Sequence, residues 1–286
     1  MIAAIPPFSP NLLQDLADLM SFDFMRHAVV AGGAIAVAAG LVGYFVVLRN
    51  QVFASDALGH VAFTGGLGGL LAGFPLINAV FVSTIGGALA IGSLGGRARG
   101  RDVAIGTVFA WVLGLGVLFL SLYTTARSGA SGIVGVTVLF GSILSLEASQ
   151  ATIATIAALA TAVTLLAISR PLLFASVDPD VATARGVPTR LVTAMFLVLV
   201  GATVAEAVQA VGALLIFALL VTPAAVAQNM TARPFAALAV SAGSALAFVW
   251  LGLGLAFYIP YPAGFFIVAV AFAAYLLSVG YSRVRG

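Results

Sequence analysis

Residues Phe24–Leu48 read FMRHAVVAGGAIAVAAGLVGYFVVL, and after Arg49-Asn50 the segment Phe53–Phe74 reads FASDALGHVAFTGGLGGLLAGF. Each is about as long as the ~20 mostly apolar residues that carry a helix across a bilayer. Neither alternates with period two, so lipid-facing barrel strands do not fit and helices must satisfy the backbone internally. The rest of the chain repeats the pattern, with 62% hydrophobic and 7% charged residues over 286 positions. A soluble domain has about 45–50% apolar and about 25% charged residues. The expected fold is all-α, a single polytopic transmembrane bundle spanning 1–286.

Nine spans are expected: Phe24–Leu48, Phe53–Phe74, Leu76–Leu94, Val103–Leu122, Ala151–Ile168, Leu191–Val208, Val211–Val226, Phe235–Phe257 and Ala263–Val279. Charge or proline separates them, at Arg49-Asn50, Phe74-Pro75, Arg97–Asp102, Arg170-Pro171, Arg233-Pro234 and the Pro260/Pro262 cluster. Residues 1–23 lack the basic flank and apolar core of a cleavable signal and read as an amphipathic interfacial leader. In the long loop between the fourth and fifth spans, Val136–Leu146 is too short to cross and suits a re-entrant or interfacial helix. Glu147 reads as a cap on that piece.

All twelve basic residues are arginine. Nine alternating spans from an outside N-terminus put Arg49, Arg97, Arg99, Arg101, Arg170, Arg185, Arg190, Arg233, Arg283 and Arg285 on one side. Only Arg26 and Arg127 fall on the other. The positive-inside rule then makes the C-terminus cytoplasmic and the N-terminus extracytoplasmic. Membrane orientation also accounts for the net charge of +3, so no nucleic-acid partner is expected.

Within Phe53–Phe74, Asp56 and His60 are the two ionisable residues, four positions apart on one helix face. A charge at membrane depth costs roughly 2.5–3.5 kcal/mol on insertion scales, so such residues are functional by default. The pair fits a structural hydrogen bond between spans, a proton relay or a divalent-metal site, carboxylate and imidazole being a suitable ligand set. Gly59, Gly65, Gly66, Gly68 and Gly69 form a small-residue stripe that permits close helix packing.

Glu206 and Gln209 end the sixth span, where Glu206 is either a solvated helix end or a funnel residue at the extracytoplasmic mouth of a cation pathway. His27, beside Arg26, reads as interfacial. The loop 170–190 holds Asp178-Pro179-Asp180-Val181-Ala182-Thr183-Ala184-Arg185-Gly186. A cap before proline, and a later glycine, predict a short helix of about two turns. It is either a helical turn in a connection or a docking element for a cytoplasmic partner.

Several chemistries are absent. With no cysteine there is neither disulfide nor thiolate ligation, and with no lysine there is no Walker-type nucleotide loop. Gly-x-Ser-x-Gly and His-Glu-x-x-His do not occur. The chain is expected not to be an enzyme, and uphill transport would draw on a partner or an ion gradient.

Four elements in order resemble the permease subunits of zinc and manganese ABC importers, the third ABC permease group. They are Ser55-Asp56-Ala57-Leu58-Gly59-His60, Leu139-Phe140-Gly141-Ser142-Ile143-Leu144, Asp178-Pro179-Asp180-Val181-Ala182 through Gly186-Val187, and Val211-Gly212-Ala213-Leu214-Leu215 through Pro223-Ala224-Ala225-Val226-Ala227. The resemblance implies a permease in a bacterial inner membrane, paired with a second copy. It also implies a cytoplasmic ATPase, where ATP is hydrolysed, and an extracytoplasmic metal-binding protein.

On the same carry-over, Asp56 and His60 become ligands of a passing zinc, manganese or iron ion, with no cofactor held permanently. Asp178, Pro179, Asp180, Val181, Ala184, Arg185 and Gly186 become the ATPase-coupling loop. The rival reading is a gradient-driven secondary cation transporter using Asp56 and His60 as a relay. It expects inverted repeats, and no second Asp-x-x-x-His element occurs in the second half.

Overall fold

A computed structural model describes residues 18–93, 98–126, 139, 141, 143–213 and 216–285, without the side chains of 98–105, 209, 284 and 285. Of the expected leader, 1–17 lie outside the described residues, and 18–21 are helical. The elements are α1 (Asp23–Leu48), α2 (Val52–Leu71), α3 (Leu76–Ser93), α4 (Ala98–Ala126), a 3-10 turn (Ile143–Ser145), α5 (Ala148–Val177) and α6 (Pro179–Ala184). They continue with α7 (Thr189–Val211), α8 (Ile216–Leu220), α9 (Thr222–Met230), α10 (Pro234–Tyr258) and α11 (Ala263–Arg285). No strand occurs among the described residues.

α1 is the hub. Sixteen of its side chains or glycines are buried, against α5 on one side and α10 on another. α1 and α10 run antiparallel at close range. Ser241 Oγ donates to the Gly40 carbonyl at 2.6 Å, and Trp250 Nε1 donates to the Val29 carbonyl at 3.3 Å. The approach requires glycine, because a Cβ on Gly40 would stand 2.6 Å from the Ser241 carbonyl oxygen.

α2 packs on α3 through the glycine stripe, Gly65 against Ser83, Gly66 against Leu76 and Val80, and Gly69 against Ala79. This is the packing role expected for small residues in lipid, where close van der Waals contact replaces the hydrophobic drive.

Among the described residues, seven helices are long and apolar enough to cross a membrane: α1, α3, the Gly106–Thr125 part of α4, α5, α7, α10 and α11. The expected count of about nine is therefore corrected in two places. α2 has 20 residues, enough to cross, but Asp56, His60 and its glycines dilute its apolar character.

The expected continuous span Val211–Val226 does not form. α7 ends at Val211, Gly212 takes φ +85°, and two short helices follow, α9 with Pro223 in its first turn. A positive φ is open to glycine and strained for L side chains, so the helix stops inside an apolar run.

Arg170-Pro171 was expected to end a span, yet α5 runs through Pro171 to Val177. Burial of Leu172 and Ala175 beyond the proline holds its last turns against the lost hydrogen bond. The loop expected over 170–190 therefore shrinks to the connection after Val177. Of the Val136–Leu146 piece, 136–138, 140 and 142 lie outside the described residues. Its end is a 3-10 turn, and Glu147 caps the following helix in a reciprocal capping box with Gln150.

Candidate metal site and coupling loop

Asp56 and His60 enter α2 through a rigid turn. α1 closes in a Schellman motif: Asn50 has φ +52°, its N–H donates to the Val47 carbonyl at 3.1 Å, and Gln51 N–H donates to the Val46 carbonyl at 2.9 Å. Ser55 Oγ donates to the Val52 carbonyl at 2.7 Å and ties down the first turn of α2.

Two faces of the helix are then packed. Leu58, Ala62 and Leu67 join the main core, while Ala54 and Ala57 pack with Ile91 and Phe109. Asp56 and His60 are half-buried. The His60 ring meets Phe109 of α4 edge-on, centroids 4.8 Å apart.

This wall leaves the carboxylate and imidazole on one helix face, about 5–6 Å apart at Cβ. Among the described residues, no group of three or more His, Cys, Asp or Glu side chains gathers there or elsewhere. One chain thus supplies two candidate ligands, where a closed structural zinc site has four.

The residues expected to couple to an ATPase form the expected short helix. Asp178 caps α6, one carboxylate oxygen accepting from the Val181 N–H at 3.0 Å, and Pro179 occupies the first helical position. Gly186, φ +82°, ends it: its N–H donates to the Thr183 carbonyl, and the Val187 N–H donates to the Ala182 carbonyl, both at 3.0 Å. Ala182 is fully buried as the anchor, while Asp180, Val181, Ala184 and Arg185 are exposed. The helix presents a small, partly apolar outer face.

Glu206 is not at a water-filled mouth. It is 1% exposed, and among the described residues neither carboxylate oxygen has a partner at hydrogen-bond geometry. Thr161 of α5 lies beside it. Val204, Ala205, Ala207, Val208, Ala210 and Val211 are buried around it. Gly141 packs on the α7 terminus, where an added Cβ would meet the Ala210 carbonyl at 2.6 Å. Gly141 thus stands against this helix end, where both expectations, a solvated end and a funnel residue, placed water. Glu206 is not clustered with Asp56 and His60, and the Gln209 side chain lies outside the described set. His27 is half-buried in the first turn of α1, next to Arg26, which pairs with Asp23 at 3.4 Å.

Two residues escaped the sequence reading. Phe109 gives no local signal of its contact with His60. Arg49 read only as a helix stop, yet its guanidinium donates to Ser176 Oγ at 3.3 Å and to Thr193 Oγ1 at 3.1 Å.

The described residues thus form a polytopic helical bundle with a half-buried Asp–His pair and a capped short helix. The profile of the ABC 3 transport family matches residues 21–282, and the chain belongs to that family. It is 26% identical over 277 residues to the manganese transport system membrane protein MntC of Halalkalibacterium halodurans, covering 96% of this chain and 93% of that one. To the chelated iron transport system membrane protein YfeD of Yersinia pestis it is 26% identical over 279 residues, covering 96% and 91%. Among solved structures, PsaBC from Streptococcus pneumoniae in complex with Fab superposes with a TM-score of 0.80 at 25% identity, covering 94% of this chain and 95% of that chain.

Proposed function

We propose that this chain is the permease subunit of an ATP-driven importer of a divalent transition metal (manganese, zinc or ferrous iron). Relatives named for manganese and chelated iron transport support the metal class. The observation that carries the reading is the Asp56–His60 pair, on one face of an otherwise apolar helix, with two ligands and no third among the described residues.

In this reading two copies of the permease face each other and their two pairs complete a transient site. A transport site must release its ion, so a loosely assembled one suits it better than a closed cage. Neutral imidazole and ionised carboxylate are the ligating forms. An extracytoplasmic binding protein delivers the ion. A separate cytoplasmic ATPase receives the α6 helices, and its closure drives alternating access.

The N-terminus is then extracytoplasmic and the C-terminus cytoplasmic, in a bacterial inner membrane. The test is ATP-dependent uptake of radioactive manganese, zinc and iron into proteoliposomes holding the permease with its ATPase and binding protein. Uptake of at least one metal is expected, falling by about tenfold or more in Asp56→Ala or His60→Ala, since even outer-shell losses cost 10–100-fold at metal sites. Uptake independent of ATP and driven by a proton gradient would replace this reading with a secondary transporter.

A further inference from the structure

We infer that Arg49 is a positioning residue that couples the loop helix α6 to the helix carrying Asp56 and His60. The inference rests on the metal-site and docking readings above and assigns the physical link between them.

The geometry is specific. Arg49 stands at the C-terminal cap of α1. One guanidinium nitrogen reaches Ser176 Oγ at 3.3 Å and the other reaches Thr193 Oγ1 at 3.1 Å. Ser176 lies in the last turn of α5, two residues before the Asp178 cap of α6, and Thr193 lies in the first turns of α7. One side chain therefore clasps both legs of the connection that carries α6.

The clasp is packed as well as bonded. The guanidinium carbon sits 5.4 Å from the centre of the Phe196 ring of α7, and Phe196 in turn meets Phe45 of α1 edge-on at 6.2 Å. Ser176 Oγ donates its own proton to the Leu172 carbonyl at 2.6 Å, which leaves its lone pairs facing Arg49.

On the other side of Arg49 the chain cannot flex freely. The Schellman turn at Asn50 and Gln51 joins it to α2, where Ser55 and Asp56 occupy the first turns. A displacement of either leg of the loop thus pulls on Arg49 and, through two hydrogen-bonded residues, on the start of α2. Arginine suits the role because a planar fork can hold two hydroxyls at once while stacking on an aromatic ring, whereas an ammonium is a point donor.

The test uses the complete importer in nanodiscs, comparing Arg49→Met, Arg49→Lys and the double variant Ser176→Ala/Thr193→Val, which removes both partners and leaves Arg49 in place. Two quantities are read: manganese and zinc binding without nucleotide, and metal transported per ATP hydrolysed. Expected is wild-type metal binding in all three. Metal per ATP should fall by about tenfold in Arg49→Met and in the double variant, the scale of one lost charged hydrogen bond. Arg49→Lys should recover part of it.

Wild-type metal per ATP in the double variant overturns the inference, even if Arg49→Met does not fold. Asp56→Ala run alongside separates the two levels. If it keeps normal metal binding and transport, the metal-site reading fails and the coupling role falls with it, whatever the Arg49 variants do.

Discussion

Glu206 is the carboxyl side chain that the described bundle buries. A carboxyl group held at 1% exposure, with Thr161 beside it but no partner at good hydrogen-bond geometry among the described residues, gives up hydration for little in return. A neutral amide of the same shape loses less. Glu206→Gln is therefore expected to stabilise the protein by about 1 kcal/mol, seen as a higher thermal unfolding midpoint in detergent; a lower midpoint would show that the carboxyl has a partner. Its chemical identity was legible in the sequence and its surroundings were not, because Thr161 beside it and Gly141 against the end of its helix lie far earlier in the chain. Asp56 and His60 were the opposite case. Their spacing on one helix and their isolation in apolar sequence are local facts, and the structure keeps both on one half-buried face.

At the scale of elements, what the sequence made legible were ends with a local chemical cause. Asp178 before Pro179 and Gly186 after Ala184 define α6 as expected. Gly212 was hidden inside an apolar run, and Pro171 was overridden by burial of Leu172 and Ala175. The Arg49 clasp joins residues 127 and 144 positions apart, beyond any periodicity.

α6 leaves Val181, 44% exposed, beside Ala184 on its outer face, the part that the proposed function assigns to docking. Val181→Glu/Ala184→Glu puts two charges into that contact without touching the buried anchor Ala182 or the Asp178 cap. Metal-stimulated ATP hydrolysis is expected to fall by about tenfold or more, as buried unpaired charges are costly. Unchanged stimulation and co-purification would remove α6 from the docking surface.

Across the whole molecule, helix directions gather the charges that the sequence had distributed by counting. α1 and α10 are antiparallel, Val29 lying by Trp250 and Gly40 by Ser241. Arg49 and Arg233 therefore share an end. The Arg49 bonds bring the end of α5, the loop with Arg185 and the start of α7 with Arg190 to that same end. α11 returns from the opposite end, where Phe22 meets Phe257, and carries Arg283 toward it. Arg26 remains at the far end. This clustering suits the positive-inside rule even though the expected nine continuous spans are reduced, because α8 and α9 together still carry the chain back from α7 to α10.

α4 flanks the Asp56–His60 pair. It covers His60 with Phe109 yet leaves Val108, Trp111 and Val117 uncovered by this chain. All of this serves one claim, that Asp56 and His60 hold the cargo. Its most direct test is equilibrium binding of manganese and zinc to the purified permease in nanodiscs, wild type against Asp56→Ala and His60→Ala, each checked for folding by its unfolding midpoint. The account predicts saturable binding of at least one metal, weakened about tenfold or more in either variant. Equal affinity in wild type and both folded variants would contradict it.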